Sequence, residues 1–562
     1  MNTLKLTILI LVLSVCSVSY SQVNWNTTFV NTTGTTIYDL GSNSSPQWIA
    51  QDPANPNNLH AVMMSVPLGD PNTYPNRRSK YYFSSDGGTT WEFSASVNDR
   101  KSGFPSISVA SDGSAAICNY GSTANNTSTH TIVYIDAAAG LGSFTTYETP
   151  SGYPNLFFGK FCLTSSIVAP VKFILMGQSF TSDSSFRTSG PTPWASWTPF
   201  ANNSPETYTS ARGQDGRIGI AYIQNGTSEL DYRCIYFMES TNSGTTFSAP
   251  VKIYQAVFQG SGADSLAAFR GLSMVYKNNI PCITFETVKQ DPSAGNYFQK
   301  APAKIMFWAS DLPGTDPTRS ITIASKLNVP IPPPDSIMTG VNDQLGSLSR
   351  PVIGVSSDNN TLMIVFQAFT NKWGGTIPDT TNYKALYITK ATNNYNFSKP
   401  FKFTPDSPLM DWSYPSISSW NEKTSQNIFA NVCALRDSIP GTYVNANNNG
   451  QSLAKLYYIK LSTPHTVGIT GSETASEYSL QQNYPNPFNP VTNIKYQIPK
   501  DGYVKLAVYD LLGREVDILL SQKQTMGKYE AVWDASHFAS GVYFYKLITN
   551  EFTETKRMLL IK

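Results

Sequence analysis

The chain has 562 residues, of which 40% are hydrophobic and 12% aromatic, but only 14% are Asp, Glu, Lys or Arg. Forty basic residues stand against 38 acidic ones, and no run of Lys and Arg could neutralise a row of phosphates, which argues against nucleic acid and anionic membrane as partners. This length exceeds what one hydrophobic core usually supports, so we expect several domains or a repeat array with a smaller module.

The first 21 residues have the layout of a secretory signal peptide. Lys5 precedes an apolar run over residues 6–15, and the small residues Ser19 and Ser21 follow where signal peptidase would read them. The run is well short of the roughly 20 apolar residues that span hydrocarbon. We therefore predict cleavage after Ser21, Sec export of the rest, and no transmembrane segment in the mature protein.

Short apolar alternations around a polar turn recur through residues 22–462. Copies begin near residues 45, 104, 160, 212, 269, 349 and 414, and those at 160 and 212 are looser. Each is a strand, a turn rich in Asn, Asp and Gly, and a second strand, and a third apolar run with another polar turn follows most of them. A four-stranded meander repeated about every 50 to 80 residues predicts an all-β fold, a seven-bladed β-propeller with six to eight blades as bounds.

The last copy ends after its third strand, near Ser462, and lacks an outer strand. The stretch "NWNTTFVNTTGTTIYDL" near the mature N-terminus has residues suited to supply it. Closing the ring removes exposed sheet edges. We therefore predict that the two ends of the array pair with each other.

Two turns between third and fourth strands share one pattern, Ser-x-Asp/Asn-x-Gly followed by an aromatic residue. Asp or Asn can accept backbone N–H bonds within such a turn, Gly takes a positive φ, and the aromatic ring packs beneath the hairpin. The pattern resembles the Asp-box, or BNR, repeat of sialidase-like propellers, which implies that these turns lie opposite the active-site face. The predicted structural residues are Ser84, Asp86, Gly88, Trp91, Ser240, Asn242, Gly244 and Phe247.

Cysteines and histidines give no sign of a metal site. The five cysteines after the leader are an odd number, show no Cys-x-x-Cys spacing and lie in apolar runs, so we predict buried thiols. The four histidines are scattered and form no visible Ser-His-Asp arrangement. No cofactor is predicted; calcium in a turn or in the central channel is a candidate because oxygen ligands abound, although no loop has its ligand spacing.

The sequence pattern changes at residue 478, after a Ser/Thr/Gly-rich segment at residues 463–477 that is typical of a linker. Apolar alternation broken by Gly, Pro and Asp turns predicts a small Ig-like antiparallel β-sandwich over residues 478–562. The runs 483–490, 508–516 and 539–546 closely resemble the C-terminal sorting domain of the type IX secretion system of Bacteroidetes-like bacteria. The resemblance implies that residues 478–562 address the chain to that machinery, for release or attachment to the outer-membrane surface; an ordinary Ig-like binding module is the alternative.

The loops that join second to third strands, and one blade to the next, are long and rich in Tyr, Trp, Asn and Gly. They would emerge on one face, opposite the two patterned turns, and long loops on a rigid scaffold commonly bind ligands. Aromatic faces beside amides and hydroxyls suit sugar rings. Trp373 in "FTNKWGGTIPDTTNYK" is the candidate contact on this face, and the alternative is a set of solvated, variable loops.

Three copies carry an arginine that we expect near the start of the first strand: Arg212, Arg270 and Arg350. Converging on the mouth of the central channel, they would bind a carboxylate bidentately, as sialidase-like enzymes bind sialic acid. The alternative is that each arginine pairs locally.

The sialidase-like resemblance also implies a Tyr nucleophile activated by a Glu, with an Asp as acid/base. Tyr414 is a candidate at the mouth, but the family's Phe/Tyr-Arg-Ile-Pro signature is absent and "FRG" at residues 269–271 is only faintly like it. No catalytic set is therefore assigned. Acidic residues of blade-to-blade segments that could approach the mouth are Asp99, Glu206, Asp343 and Asp411.

Two functions from different classes remain open. A propeller that binds or scaffolds glycans or surface polymers is favoured by the missing signature, and an exo-glycosidase acting on an acidic sugar by the patterned turns and the three arginines.

Overall fold

A computed structural model provides the three-dimensional structure. It describes residues 23–38, 40–122, 129–149, 156–164, 172–179, 184–191, 194–202, 206–226, 232–256, 266–291, 296–297, 303–333, 336–337, 346–374, 381–392, 395–441, 452–464, 477–524, 526–535 and 538–561. The predicted signal peptide, most of the linker and Asp343 lie outside these ranges. The described residues form 37 β-strands and no α-helix.

The first four sheets follow one another along the chain after strand β1 (Asn26–Thr36). The first sheet contains β2 (Ile49–Gln51), β3 (Leu59–Ser65), β4 (Arg78–Ser84) and β5 (Glu92–Ser96). The second contains β6 (Ser102–Val109), β7 (Ala115–Ser122), β8 (Thr129–Asp136) and β9 (Phe144–Glu148). The third contains β10 (Leu156–Leu163), β11 (Phe173–Ser179), β12 (Ser184–Gly190) and β13 (Thr198–Asn202). The fourth contains β14 (Tyr208–Arg212), β15 (Ile218–Asn225), β16 (Tyr232–Ser240) and β17 (Val251–Tyr254).

Three further sheets complete this part of the chain. The fifth contains β18 (Leu266–Lys277), β19 (Ile280–Asp291), a short β20 (Asn296–Tyr297) paired to β19, β21 (Ala303–Ala309) and β22 (Ile321–Ala324). The sixth contains β23 (Leu348–Ser356), β24 (Leu362–Gly374), β25 (Thr381–Ala391) and β26 (Phe401–Lys402). The seventh contains β27 (Asp411–Ile417), β29 (Asn427–Asp437) and β30 (Ala454–Pro464), while β28 (Trp420–Asn421) runs parallel to β23.

Within a sheet, burial follows the sequence from the second strand to the fourth. The second strands β3, β7 and β11 are buried almost throughout, as expected for strands covered on both faces. The fourth strands β5, β9 and β13 carry Ser, Thr, Asn and Glu and are largely exposed. In these three sheets the inner strands are therefore buried and the outer strand contacts solvent.

The sheets follow one another in a closed order. The first strand of each sheet contacts the first strand of the next, from β2 through β6, β10, β14, β18 and β23 to β27, and β27 contacts β2 again. Separate apolar clusters lie between neighbouring sheets; one of them joins the second sheet to the third and another joins the fifth to the sixth. The described residues thus form a β-propeller-like all-β fold.

The predicted pairing of the two ends is confirmed. Strand β1 runs antiparallel to β30, with Phe29 opposite Ile459 and Val30 opposite Tyr458, and it is the outer strand of the seventh sheet. Thr32 Oγ1 donates a hydrogen bond of 2.9 Å to the Leu456 carbonyl within the same pair. The outer edge of the last sheet is therefore covered by residues 26–36.

The predicted burial of the thiols is also confirmed. All five cysteines in the described residues are free and buried; they are Cys118, Cys162, Cys234, Cys282 and Cys433.

The tail folds as two antiparallel sheets. One contains β31 (Ser479–Leu480), β32 (Val491–Ile498) and β35 (Gly527–Asp534), and the other β33 (Gly502–Tyr509), β34 (Glu515–Gln524), β36 (Gly541–Thr549) and β37 (Thr553–Leu560). Side chains of both sheets share one apolar cluster, in which Trp533 and Tyr545 are fully buried.

Candidate functional site

In the turn at residues 84–91, the carboxylate of Asp86 is hydrogen-bonded to other residues of the same turn. Asp86 accepts hydrogen bonds from Ser84 Oγ at 2.8 Å, from the Thr90 N–H at 2.9 Å and from Thr90 Oγ1 at 2.7 Å. These bonds, the Thr90 N–H first, lower the pKa of Asp86 to about 2. Gly88 has a φ of 87°, and Trp91 is buried. Asp86 therefore stabilises its own turn.

The turn at residues 240–247 repeats this hydrogen-bond pattern with an amide. Asn242 Oδ1 accepts hydrogen bonds from Ser240 Oγ at 2.8 Å and from the Thr246 N–H at 2.9 Å. The Gly244 N–H donates to Ser240 Oγ at 2.9 Å, as the Gly88 N–H does to Ser84 Oγ. The ring of Phe247 lies 4.4 Å from the Arg187 guanidinium.

At the opposite end of the sheets, the innermost strands share a distortion. The pairing register of β6, β10, β18, β23 and β27 shifts near the start of each strand. Non-glycine residues with φ between 51° and 60° occupy this position in several sheets, an uncommon conformation that is often found at functional sites. We call the ring of these positions the channel mouth: Phe104, Phe158, Glu206, Arg350 and Tyr414, which have this φ, and Arg270, which lies within the register shift of β18.

Arg270 and Arg350 meet at the channel mouth through a shared carboxylate. Glu286 on β19 is 1% exposed and accepts the Arg270 N–H at 3.1 Å and the Arg350 N–H at 2.5 Å. The carboxylate therefore binds the backbones of two neighbouring inner strands where both are distorted.

The guanidinium of Arg350 is bound by the chain itself. Its Nη1 donates a hydrogen bond of 2.5 Å to the Ser44 carbonyl, and its Cζ lies 4.5 Å from the centre of the Tyr414 ring. Ser44 Oγ in turn donates to the Arg270 carbonyl at 2.6 Å. Arg350 is 2% exposed, so it makes a contact within the fold and does not form an open anion-binding site.

Residues 42–45, which we call the mouth segment, lie across the channel mouth. Glu206 Oε2 accepts hydrogen bonds from Ser42 Oγ at 3.2 Å and from the Asn43 N–H at 2.5 Å. Lys160 Nζ donates to the Ser45 carbonyl at 3.1 Å. The segment thus contacts the third to sixth sheets and closes this end of the channel.

Lys160 is the buried cation of this arrangement. Burial lowers the pKa of Lys160, the charge of Glu206 opposes that shift, and the charge of Arg350 adds to it. Neither Lys160 nor Glu286 is among the candidate residues predicted from the sequence. A lone charged residue inside an apolar run, as in "LFFGKFCL" and "IPCITFE", was the signal that could have found both.

Arg212 does not join Arg270 and Arg350, and the prediction that all three converge is wrong. It is the last residue of β14, opposite Ile218, and Ile218 is opposite Ser240 of the patterned turn. The fourth sheet begins its first strand at Tyr208, so Glu206 takes the position at the mouth. Six residues at roughly 3.3 Å each separate Glu206 from Arg212 along the strand.

The other candidate residues of the mouth lie as follows. The Tyr414 N–H donates to Gln367 Oε1 at 2.9 Å. Asp411 forms a buried ion pair with Lys384 at 2.8 Å, and burial raises the pKa of Asp411 to about 6. Asp99 lies in an exposed bend.

Trp373 stands on an extension of the β24–β25 hairpin, at the same end of the sixth sheet as Arg350. All ten tryptophans of the chain are described, and Trp373, at 57%, is the only one that is exposed. It pairs with Asn382 across the hairpin. Its neighbour Lys372 projects to the other side of the hairpin, into a groove of about 130 Å³ that Tyr383 and Thr370 also line.

The part of the chain that the structure describes contains no group of three or more His, Cys, Asp or Glu residues placed to hold a metal ion. It also contains no helix that is long and apolar enough to cross a membrane.

Residues 482–562 match the family model described as the secretion system C-terminal sorting domain. The tail is thus a type IX sorting domain, and it indicates secretion and attachment to the cell surface. No curated protein matches the chain.

Among solved structures, the chain is similar to the phage phi92 endosialidase, with 10% identity over 83% of this chain and 72% of that chain and a TM-score of 0.37. It is also similar to the alpha-L-arabinofuranosidase from Lactobacillus brevis, with 14% identity over 54% and 94% of the two chains and a TM-score of 0.30. A third is PorZ of Porphyromonas gingivalis, a bacterial surface component of the type-IX secretion system, with 13% identity over 90% and 74% and a TM-score of 0.15. The β-propeller-like fold is defined by the sheet topology and by the closed order of the inner strands.

Proposed function

We propose that this protein is a seven-bladed β-propeller of the sialidase-like class with Asp-box turns, followed by an Ig-like β-sandwich. We further propose that it binds extracellular glycans or surface polymers through its loop face, the end of the sheets that carries the channel mouth and Trp373. Export by the type IX system delivers it to the compartment where such polymers lie.

The sheet topology supports the seven blades. Seven sheets precede residue 465 in the described part of the chain, their inner strands contact one another in a closed order, and β1 completes the last sheet. The two sheets of the tail share a single core, which supports a sandwich.

The observation that carries the binding proposal is the exposure of Trp373. Nine of the ten tryptophans are buried or partly buried, so leaving this indole in water on a projecting hairpin needs a reason. A flat aromatic face with an N–H at its edge can stack on a sugar ring and donate a hydrogen bond to it. Trp and Tyr side chains, which combine an apolar ring with a polar group, are enriched at binding interfaces.

The surroundings of the hairpin favour polymers that carry acidic groups. The exposed Lys372 and the half-buried Tyr383 line the groove on the other side of the hairpin, together with the Thr370 hydroxyl. A chain lying across the hairpin at Trp373 and Lys372 could contact the indole on one side and the ammonium on the other. A neutral glycan would use only the first contact.

The exo-glycosidase receives no support from the channel mouth. That activity would need Arg350 free to bind a substrate carboxylate, whereas its guanidinium contacts the Ser44 carbonyl and Tyr414. Arg212, the third arginine of that hypothesis, lies at the other end of its sheet.

The test immobilises the full chain and passes acidic and neutral polysaccharides over it. We expect retention of at least one acidic polymer, and roughly tenfold weaker binding, about 1.4 kcal/mol, by Trp373→Ala. Phe93→Ala is the matched control, because Phe93 is 50% exposed but lies on the outer strand of the first sheet. New low-mass sugars in the flow-through would favour the exo-glycosidase. Retention that is equal in Trp373→Ala and wild type, or no retention at all, would contradict binding through this hairpin.

A further inference from the structure

The central channel holds a cavity that is separate from the loop face. It has a volume of about 270 Å³ and is lined by inner-strand residues of six sheets together with residues 45–47 ahead of β2. One end is closed, because Ser45 of the mouth segment and Lys160 are buried there. At the other end Ser111, Arg212 and Gln214 are exposed. The cavity therefore opens on the face of the two patterned turns.

The charges of this cavity are of one sign. Among the described residues that line it, Lys160 and Arg212 carry charge, and there is no Asp or Glu. The two cations belong to neighbouring strands. Arg212 interacts electrostatically with the thiol of Cys162, which lies two residues along β10 from Lys160. Cations inside low-dielectric walls concentrate their field within the cavity and attract anions. Glu206, whose charge acts on Lys160, is bound to the mouth segment and does not line the cavity.

The cavity also offers an unused hydrogen-bonding group. Ser210 Oγ is buried, lines the cavity and has no hydrogen-bond partner in the part of the chain that the structure describes. Buried hydroxyls of this kind usually have a partner. Gln47, Gln214 and Thr209 add further polar groups to the wall.

The size of the cavity limits its ligand. A volume of about 270 Å³ lies just below the range of small-molecule pockets, roughly 300–1,000 Å³. That space suits a molecule of about the size of one sugar ring. A polymer cannot pass through, because the mouth segment closes the far end.

We propose that this cavity is a second binding site, entered from the face of the patterned turns, for a small organic carboxylate of up to monosaccharide size. The guanidinium of Arg212 binds the carboxylate at the entrance, where its planar N–H groups match the two oxygens. The ammonium of Lys160 attracts the anion from the closed end. This site is independent of the proposed glycan binding on the loop face.

The test is calorimetric titration of the full chain with lactate, citrate and D-glucuronate, and with D-glucose as the neutral counterpart of glucuronate. We expect at least one of the carboxylates to bind at millimolar concentration or below, and glucose to bind at least tenfold more weakly than glucuronate or not at all. Arg212→Met should weaken carboxylate binding at least tenfold.

The matched control is Arg217→Met, on the same turn as Arg212. The Arg217 guanidinium pairs with Asp215 at 2.8 Å and with Glu239 at 3.3 Å and does not line the cavity. Its loss should leave carboxylate binding unchanged. No heat with any of the three carboxylates, equal binding of glucuronate and glucose, or equal weakening by both arginine variants would overturn the proposal. Trp373→Ala should not affect this titration, so the two proposed sites can fail separately.

Discussion

Arg350 and Arg212 lie near opposite ends of the same channel and differ in what surrounds them. Arg350 is 2% exposed, its guanidinium reaches the Ser44 carbonyl and the Tyr414 ring, and its backbone is bound by Glu286. Arg212 is exposed at the rim of a cavity whose described lining holds no carboxylate. Two arginines from repeats of one pattern thus lie in different surroundings, because residues 42–45 cover one end of the channel and leave the other open.

The largest effect that we expect on stability is that of Arg350→Met. The change removes a charged hydrogen bond and a cation–π contact in a buried place and leaves the Ser44 carbonyl without its donor. The free energy of unfolding should fall by about 2–4 kcal/mol. Urea unfolding followed by tryptophan fluorescence measures it, and nine of the ten tryptophans precede the linker, so the signal reports on the seven sheets. A loss below about 0.5 kcal/mol, the level of an ordinary surface substitution, would contradict the contact.

A smaller effect should appear in the pH dependence of stability at the same end of the channel. Burial lowers the pKa of Lys160 below its usual value of 10.5. Between the lowered pKa of Lys160 in the folded chain and its usual value in the unfolded chain, the unfolded chain binds more protons than the folded chain. The free energy of unfolding should therefore rise as the pH increases through that window. Lys160→Met should remove this part of the rise, so that its stability changes less than that of the wild type from neutral to alkaline pH.

The control for this measurement is Lys455→Met, since Lys455 lies exposed on β30. Its pH dependence should follow the wild type. If stability changed with pH in the same way in all three proteins, the pKa of Lys160 would be the same in the folded and unfolded chains, which would contradict the prediction.

The general architecture could be predicted from sequence because it follows from local patterns. Alternating apolar runs around Asn, Asp and Gly turns indicated the strand pairs, and the unfinished last copy indicated that β1 would pair with β30. The internal hydrogen bonds of Asp86 also follow from neighbours within a few residues. In each case, interacting groups are close in sequence or repeat regularly.

The channel mouth could not be predicted in the same way. Lys160 and Glu206 meet the mouth segment from more than a hundred residues away, and no repeat marks residues 42–45 as different from an ordinary loop. Arg212 was misplaced because its copy is loose and the first strand of the fourth sheet starts before the arginine rather than beside it. An error of six residues along a strand moves a side chain from one end of a sheet to the other.

The smallest expected effect on stability is that of Arg212→Met, although it should abolish most carboxylate binding. An exposed arginine on the rim of a cavity contributes little to the fold, so the free energy of unfolding should change by less than about 0.5 kcal/mol. The same urea experiment applied to Arg350→Met and Arg212→Met therefore compares the two ends of the channel directly. Equal losses of stability would mean that Arg212, like Arg350, is held by contacts within the fold. That result would contradict the difference between the open and the closed end of the channel.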